Sequence, residues 1–142
     1  MSWIPKQTVV VPFDFSERSI PAVDTALELV AQPSGIHVIH VLPTLEPSEP
    51  GVIWSTIDNS GRTHHAEEAM KAKLADAMYQ SINFDVEIGD PGHEVAEYAK
   101  RVSAELIVLP SHGRTGISRL FIGSVAERIV RLAHCPVLVL RD

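Results

Sequence analysis

Short runs of apolar, largely β-branched residues recur along the chain and predict five β-strands. The runs at residues 8–12 and 36–42 hold few polar residues, which is typical of strands buried on both faces of a parallel sheet. Residues 83–88 alternate apolar and polar side chains with a period of two, so this strand is predicted to lie at a sheet edge. The other two predicted strands are residues 106–109 and 136–140.

Between these runs, apolar residues recur at helical spacing and predict helices. Residues 16–31 form the first, with Pro21 in or near its first turn, where a missing N–H is tolerated. Residues 66–78 form the second. The polar stretch at 43–61, which contains Trp54, is predicted to be a long connection, a feature that is usually functional.

Capping signals mark the start of two further helices. Asp90 followed by Pro91 combines a capping carboxylate with a proline at the first helical position. Ser124 and Glu127 stand at the spacing of a capping box, which predicts a last helix over residues 124–133.

Strands that alternate with helices predict an α/β fold, a parallel sheet with helices on both faces. In such sheets the ligand site lies beyond the carboxyl ends of the strands, where the strand order reverses. The segments that follow Val11, Val41 and Leu109 are therefore the candidate site.

Residues 109–124 form the segment richest in candidate chemistry, with three glycines, two arginines and a predicted helix start. Glycines let the backbone approach an anion, and a helix N-terminus supplies free N–H groups and a favourable dipole. Arg114 and Arg119 could add charge-assisted hydrogen bonds. The alternative is an ordinary loop, with Gly116 in a turn and Ser124 capping its own helix.

The composition sets the class of the protein. The 142 residues are 45% hydrophobic and 21% charged, which predicts one globular domain over residues 1–142. A net charge of −6 argues against a nucleic-acid partner. The single cysteine, Cys135, fits a reducing compartment, and no signal peptide or membrane span is predicted, so we expect a cytoplasmic protein.

The glycines and the C-terminal segment resemble the universal stress protein family. Its nucleotide-binding branch has the pattern G-x2-G-x9-G-S/T after the fourth strand, and Gly113, Gly123 and Ser124 match its last two-thirds. The beginning, VVVPFDFS up to Ser16, and the tail GSVAERIVRLAHCPVLVL up to Leu140 are also similar. The resemblance extends over essentially the whole chain. It implies a single-domain Rossmann-like sandwich with strand order 3-2-1-4-5.

One position departs from the family pattern. Pro110 stands where the pattern has its first glycine. Proline has no N–H and a fixed φ, so a main-chain donor is absent there while a carbonyl contact would survive. We interpret the substitution as tolerated.

The resemblance also implies a set of binding residues. Pro12, Asp14 and Val41 would form the adenine pocket, with Leu109 and Pro110 beside the ribose and the base. His112 could approach the phosphates or the ribose, although a structural hydrogen bond in its own loop is equally compatible. The residues implied to cradle the phosphates are Gly113, Arg114, Gly123, Ser124 and Val125.

The predicted function is that of a regulatory or stress-response protein that binds ATP, or AMP or ADP, with Mg²⁺ as an optional companion of the phosphates. The family resemblance implies a homodimer through residues 136–140, which begin with Pro136 and end with Leu140. A dedicated enzyme is not predicted, because the chain has no G-x4-G-K-S/T loop and no paired nucleophile and base stands out. The alternatives are a dimeric interaction module that binds no nucleotide, and a slow ATPase.

Overall fold

The fold is known from a computed structural model, which describes residues 2–45, 59–111 and 122–141. In these ranges it consists of a five-stranded sheet and four α-helices that alternate with the strands. The strands are β1 (Val9–Pro12), β2 (Ile36–Leu42), β3 (Asn83–Ile88), β4 (Leu106–Pro110) and β5 (Val137–Leu140). The helices are α1 (Ser19–Leu29), α2 (Asn59–Lys73), α3 (Pro91–Arg101) and α4 (Ser124–Leu132).

All neighbouring strands are parallel, and their order is β3-β2-β1-β4-β5. This confirms the α/β class and the order that the family resemblance implies. It also confirms β3 as an edge strand, as its alternating pattern predicted. The order reverses between β1 and β4, so the predicted ligand site falls beyond the carboxyl ends of these two strands.

Alternation along the strands divides the core between the two sheet faces. Val9 and Val11 of β1 pack with α1 and α2, while Val10 between them packs with α3 and α4. Val10, Ile39 and Ile107, which contact α3 and α4, have no exposed surface. The sheet is therefore covered by two helices on each face.

Two helices differ from their predicted bounds. The first begins at Ser19 and not at residue 16, because residues 16–19 form a turn, with the Ser19 N–H donating to the Ser16 carbonyl at 3.2 Å. The second begins at Asn59, seven residues before the predicted start, and ends at Lys73. The first residues of α2 are polar, so apolar periodicity could not reveal them. The predicted end of this helix lies instead in a separate 3₁₀ turn, Ala77–Tyr79.

Among the described residues, no helix is both long and apolar enough to cross a membrane.

Candidate functional site

A cavity of about 270 Å³ lies beyond the carboxyl ends of β1, β2 and β4, at the predicted reversal of strand order. The first turn of α4 closes one side, and residues of α3 contribute a second wall. The described residues that line the cavity are Pro12, Phe13, Asp14, Ser19, Ile39, His40, Val41, Pro91, Val95, Leu109, Pro110, Ser111, Gly123, Ser124, Val125, Ala126 and Ile129.

Most of the residues predicted to bind a nucleotide meet in this cavity. They come from four separate segments of the chain and are Pro12, Asp14, Val41, Leu109, Pro110, Gly123, Ser124 and Val125. The other three predicted residues, His112, Gly113 and Arg114, lie outside the described residues.

The turn between β1 and α1 carries the one acidic side chain among the described lining residues, Asp14. Its Oδ1 accepts a hydrogen bond from Ser19 Oγ at 2.7 Å and another from the Ser16 N–H at 2.9 Å. Partial burial raises the pKa of Asp14, but these hydrogen bonds from Ser16 and Ser19 outweigh it, and the pKa lies below its ordinary value. The carboxylate is therefore ionised at neutral pH and held in one orientation.

Phe15 gives this turn an unusual backbone. Its φ of +66° is in the left-handed region, which costs a bulky residue about 1–3 kcal/mol. The ring lies edge-on to Phe13, with centroids 5.0 Å apart, and edge-on to His40 at 4.9 Å. These contacts hold the backbone in its strained conformation, which directs Asp14 into the cavity.

The end of β1 leaves the last residues of β2 without a neighbouring strand on the β1 side, while their pairing with β3 continues to Leu42. The pairing of the two strands ends at Pro12 and Ile39, followed by one hydrogen bond from the Phe13 N–H to the Ile39 carbonyl at 2.8 Å. The Phe13 carbonyl lies 2.6 Å from Nδ1 of His40. Val41 lies beyond the last pair between β1 and β2 and lines the cavity.

Pro110 is the last residue of β4. Ile107 and Ser111 donate their N–H groups to carbonyls of the β5 segment, so alternation directs the Pro110 nitrogen to the opposite side, toward β1. The pairing with β1 already ends at Ile107. Proline therefore interrupts no described strand pairing at this position, in agreement with a tolerated substitution.

The start of α4 differs from the predicted capping box. Gly123 is the N-cap, Ser124 is the first helical residue, and no side chain caps the helix. The Gly123 N–H donates to the Ser111 carbonyl at 2.6 Å and so is occupied, while the Gly123 carbonyl accepts from the Glu127 N–H at 2.9 Å. The N–H groups of residues 124–126, which precede that first intrahelical bond, are the donors that this helix start can offer a ligand.

Close contact between α3 and α4 sets the position of that helix start. A Cβ on Gly92, in the first turn of α3, would lie 2.7 Å from the Cβ of Arg128. Arg128 Nε lies 3.1 Å from Oδ2 of Asp90, the residue that caps α3 by accepting from the His93 N–H at 2.9 Å. The predicted cap at Asp90 is confirmed, and the same carboxylate also joins the two helices.

Sequence reasoning did not identify the two most instructive lining residues. Ser19 reaches the cavity only because the turn folds back on Asp14, and nothing in the spacing signals that fold. His37 and His40 stand three positions apart in β2 and face opposite sides of the sheet: His37 contacts Tyr98 of α3, whereas His40 contacts Phe15. The position of His40 at the end of a strand is the signal that could have indicated a role in the site.

The chemistry of the described lining suits binding more than catalysis. Asp14 and His40 are its only side chains that ionise readily, and each already has a partner within the β1–α1 turn. In the described ranges, no group of three or more His, Cys, Asp or Glu side chains could hold a metal ion. The remaining walls are mostly apolar, as a pocket for a flat ring requires.

Comparison with known proteins agrees with this architecture. The universal stress protein family matches residues 6–141. The universal stress protein MJ0531 of Methanocaldococcus jannaschii is 34% identical over 139 residues, which cover 94% of this chain and 81% of that protein.

Solved structures share the fold. Universal stress protein UspA from Lactobacillus plantarum has a TM-score of 0.73 at 23% identity, covering 95% of this chain and 97% of its own. A universal stress protein family member from Arabidopsis thaliana, solved with AMP bound, has a TM-score of 0.61 at 20% identity, covering 96% of this chain and 92% of its own. The match to the family over nearly the whole length, together with the archaeal relative, establishes that the chain belongs to the universal stress protein family.

Proposed function

We propose that this protein binds an adenine nucleotide in the cavity at the ends of β1, β2 and β4 and acts as a stress-response regulator. The observation that carries the proposal is the convergence of four distant segments on one cavity, which has apolar walls at one side and a helix N-terminus at the other. Nucleotide occupancy would tune the conformation of the protein or its choice of partner.

The side between β1 and β2 suits an adenine base. Pro12 and Leu109 supply apolar surface, and the ionised Asp14 can accept a hydrogen bond from an amino or hydroxyl group. The backbone of Val41 lies past the last pair between β1 and β2, so on that side it offers a donor and an acceptor to a base edge. A volume of about 270 Å³ is near the lower end of small-molecule pockets and fits a nucleoside better than a large ligand.

The side at α4 suits phosphate groups. The N–H groups of residues 124–126 begin the helix at this end, Ser124 lines the cavity here, and the helix dipole favours a negative charge. We assign Gly113, Arg114 and His112 to the same cradle by their match to the family pattern or their place in that loop. Mg²⁺ would be held chiefly by phosphate oxygens and water.

The Arabidopsis relative with bound AMP supports an adenine nucleotide as the ligand class, since it has the same fold. ATP, ADP and AMP differ only in the length of the phosphate chain that the segment after β4 must hold. We expect ATP to bind more tightly than AMP, because more phosphate oxygens reach the start of α4.

A homodimer through β5 completes the proposal. This edge strand consists of four apolar residues, each half-buried, and its outer edge has no neighbouring strand in the described sheet. An exposed apolar edge favours pairing with a second copy. Cys135 is half-buried, and burial raises the pKa of its thiol, which lowers its reactivity. A single cysteine is compatible with the reducing cytoplasm, where we place the protein.

Calorimetric titration of the purified protein with ATP, AMP and GTP tests the proposal. We expect ATP to bind with a Kd of about 1 μM or below, which is about −8 kcal/mol, and GTP to bind more weakly. Gly123→Val should abolish ATP binding while the domain remains folded, because its side chain would enter the cavity. A dimeric wild type that binds no nucleotide would favour the alternative, an interaction module, and slow ATP turnover would favour a weak ATPase.

A further inference from the structure

His40 makes a contact that is unusual for a residue in a parallel strand. Its Nδ1 lies 2.6 Å from the main-chain carbonyl of Phe13, in the neighbouring segment after β1. A carbonyl oxygen can only accept, so Nδ1 carries the hydrogen and donates it. In the neutral ring, this leaves Nε2 as an acceptor.

This carbonyl is the acceptor that would continue the β1–β2 ladder. Pro12 pairs with Ile39, so the next pair in register would be Phe13 with His40. In a parallel ladder one residue donates to the residue before its partner and accepts from the residue after it. Phe13 makes the first of these bonds, to Ile39 at 2.8 Å. The donor of the second would be the N–H of Val41.

The described backbone hydrogen bonds do not include that second bond: the pairing of β1 with β2 ends before Val41. The His40 side chain instead takes the acceptor, and the edge contact of its ring with Phe15 keeps the ring in place. The strands separate at this point, and the cavity begins between them.

We propose that His40 is a positioning residue that keeps the Val41 backbone amide available to the ligand. By donating to the Phe13 carbonyl, it prevents the ladder from closing by one further hydrogen bond and so keeps the entrance between β1 and β2 open. The availability of Val41 to a ligand rests on the proposed nucleotide binding. The missing hydrogen bond between Val41 and Phe13 can be observed without any ligand.

Two substitutions separate the hydrogen bond from the ring. His40→Phe keeps an aromatic ring against Phe15 but removes the donor, so the Phe13 carbonyl becomes free to accept from Val41. His40→Asn removes the ring but retains an N–H donor at the same distance from the backbone as Nδ1. His37→Phe is the matched control, because His37 lies on the same strand but faces Tyr98 and does not line the cavity.

The measurements are amide hydrogen exchange at Val41, followed by NMR, and AMP titration by calorimetry. In the wild type we expect rapid exchange at Val41 without ligand and slower exchange with AMP. In His40→Phe we expect Val41 to be protected without ligand and AMP to bind roughly tenfold more weakly, since one backbone hydrogen bond to the ligand is lost. His40→Asn and His37→Phe should resemble the wild type in both measurements.

Protection of Val41 in the ligand-free wild type, or unchanged AMP binding by His40→Phe, would overturn the inference. Loss of AMP binding in His40→Asn would also overturn it, since an N–H donor at this position would then not be sufficient. If His40→Phe does not fold, His40→Asn and the ligand-free wild type still decide the question. A wild type that binds no AMP would overturn the proposed function itself, and this result is visible without any variant.

Discussion

Ser19 Oγ donates a 2.7 Å hydrogen bond to Oδ1 of Asp14 and accepts one of 3.2 Å from the Asp14 N–H. Ser19 is 1% exposed, so its hydroxyl is shielded from bulk water. The first residue of α1 thereby fixes both the backbone and the carboxylate of the residue that we propose for adenine recognition.

Ser19→Ala should raise the pKa of Asp14. Burial raises this pKa and hydrogen bonds lower it, and the variant removes the hydrogen bond from Ser19. In the wild type the pKa of Asp14 in the folded protein lies below its ordinary value of about 3.9. The ionised Asp14 therefore stabilises the fold above about pH 3.9, and this contribution is lost as the pH falls through the folded-state pKa. The variant should lose less stability over this window. At neutral pH it should be less stable by about 1–2 kcal/mol.

A carbon-detected NMR titration of the Asp14 carboxyl and urea unfolding between pH 2.5 and about 7 would measure both effects. Ser34→Ala is the control, because Ser34 is exposed and accepts from Asn83 through its backbone carbonyl, not its hydroxyl. An unchanged pKa of Asp14 in Ser19→Ala would contradict the assigned hydrogen bond.

Sequence patterns predicted where the cavity lies but not its fine structure. Pro12, Val41 and Leu109 could be placed because each stands at or near a strand end, and the carboxyl ends of parallel strands meet at one edge of the sheet. The roles of Ser19 and His40 depend on the left-handed backbone of Phe15, which tertiary contacts impose against the local preference. No periodicity encodes such a turn.

The predicted starts of two helices were wrong for similar reasons. The spacing of Ser124 and Glu127 fits a capping box, yet Gly123 takes the N-cap because its N–H bonds to the Ser111 carbonyl, 12 positions earlier. A contact between segments so far apart in sequence decides the helix start, and local spacing cannot reveal it. The extra turns at the start of α2 were missed because they are polar and mostly exposed.

Tyr79→Phe should lower stability at neutral pH by about 1–2 kcal/mol, because it leaves a carboxylate without its donor. Tyr79 is 6% exposed and donates to Oδ1 of Asp24 in α1 at 2.6 Å. Burial and the nearby carboxylate raise the pKa of Tyr79 to about 12, so its stabilising contribution is complete below about pH 10 and is lost as the pH rises through 12.

Thermal unfolding between pH 8 and about 12 would test this expectation. The wild type should lose more stability than Tyr79→Phe above about pH 10, so the two curves should converge. Parallel curves over the whole range would show that the phenol does not titrate as the hydrogen bond requires.

Gly92→Ala should destabilise the protein, although alanine is the better helix former by about 1 kcal/mol. The new Cβ would lie 2.7–2.8 Å from Cβ, Cγ and Cδ of Arg128, atoms too close to the α4 backbone to move freely. The expected net loss is about 1–2 kcal/mol. Urea unfolding measures it, and Arg128→Ala in the same background should recover part of the loss by removing Cγ and Cδ. Full stability of the single variant would show that the helices can separate without cost.

Val139→Pro should dissociate the proposed dimer without unfolding the protomer. Alternation along β5 directs the N–H of Leu138 toward β4 and that of Val139 toward the free edge, since Pro136 and Leu140 offer their carbonyls to β4. Proline at 139 removes an outward donor only, whereas Leu138→Pro breaks a bond within the sheet. Sedimentation should show monomers for Val139→Pro, and Leu138→Pro should lose thermal stability instead. A dimer that survives Val139→Pro would place the interface elsewhere.

Val125→Glu and Val130→Glu form a matched pair that tests where the phosphates bind. The two valines lie on α4 and are 42% and 47% exposed, but only Val125 is among the described lining of the cavity. A carboxylate in the first turn favours the helix through its dipole while it repels a bound anion.

We expect Val125→Glu to weaken ATP binding by roughly tenfold, to weaken AMP binding less, and to leave adenosine binding unchanged. Val130→Glu should bind all three ligands as the wild type does. Calorimetry with the three ligands distinguishes the outcomes, and an equal loss of adenosine and ATP binding in Val125→Glu would mean that the base, and not the phosphate chain, lies at the start of α4.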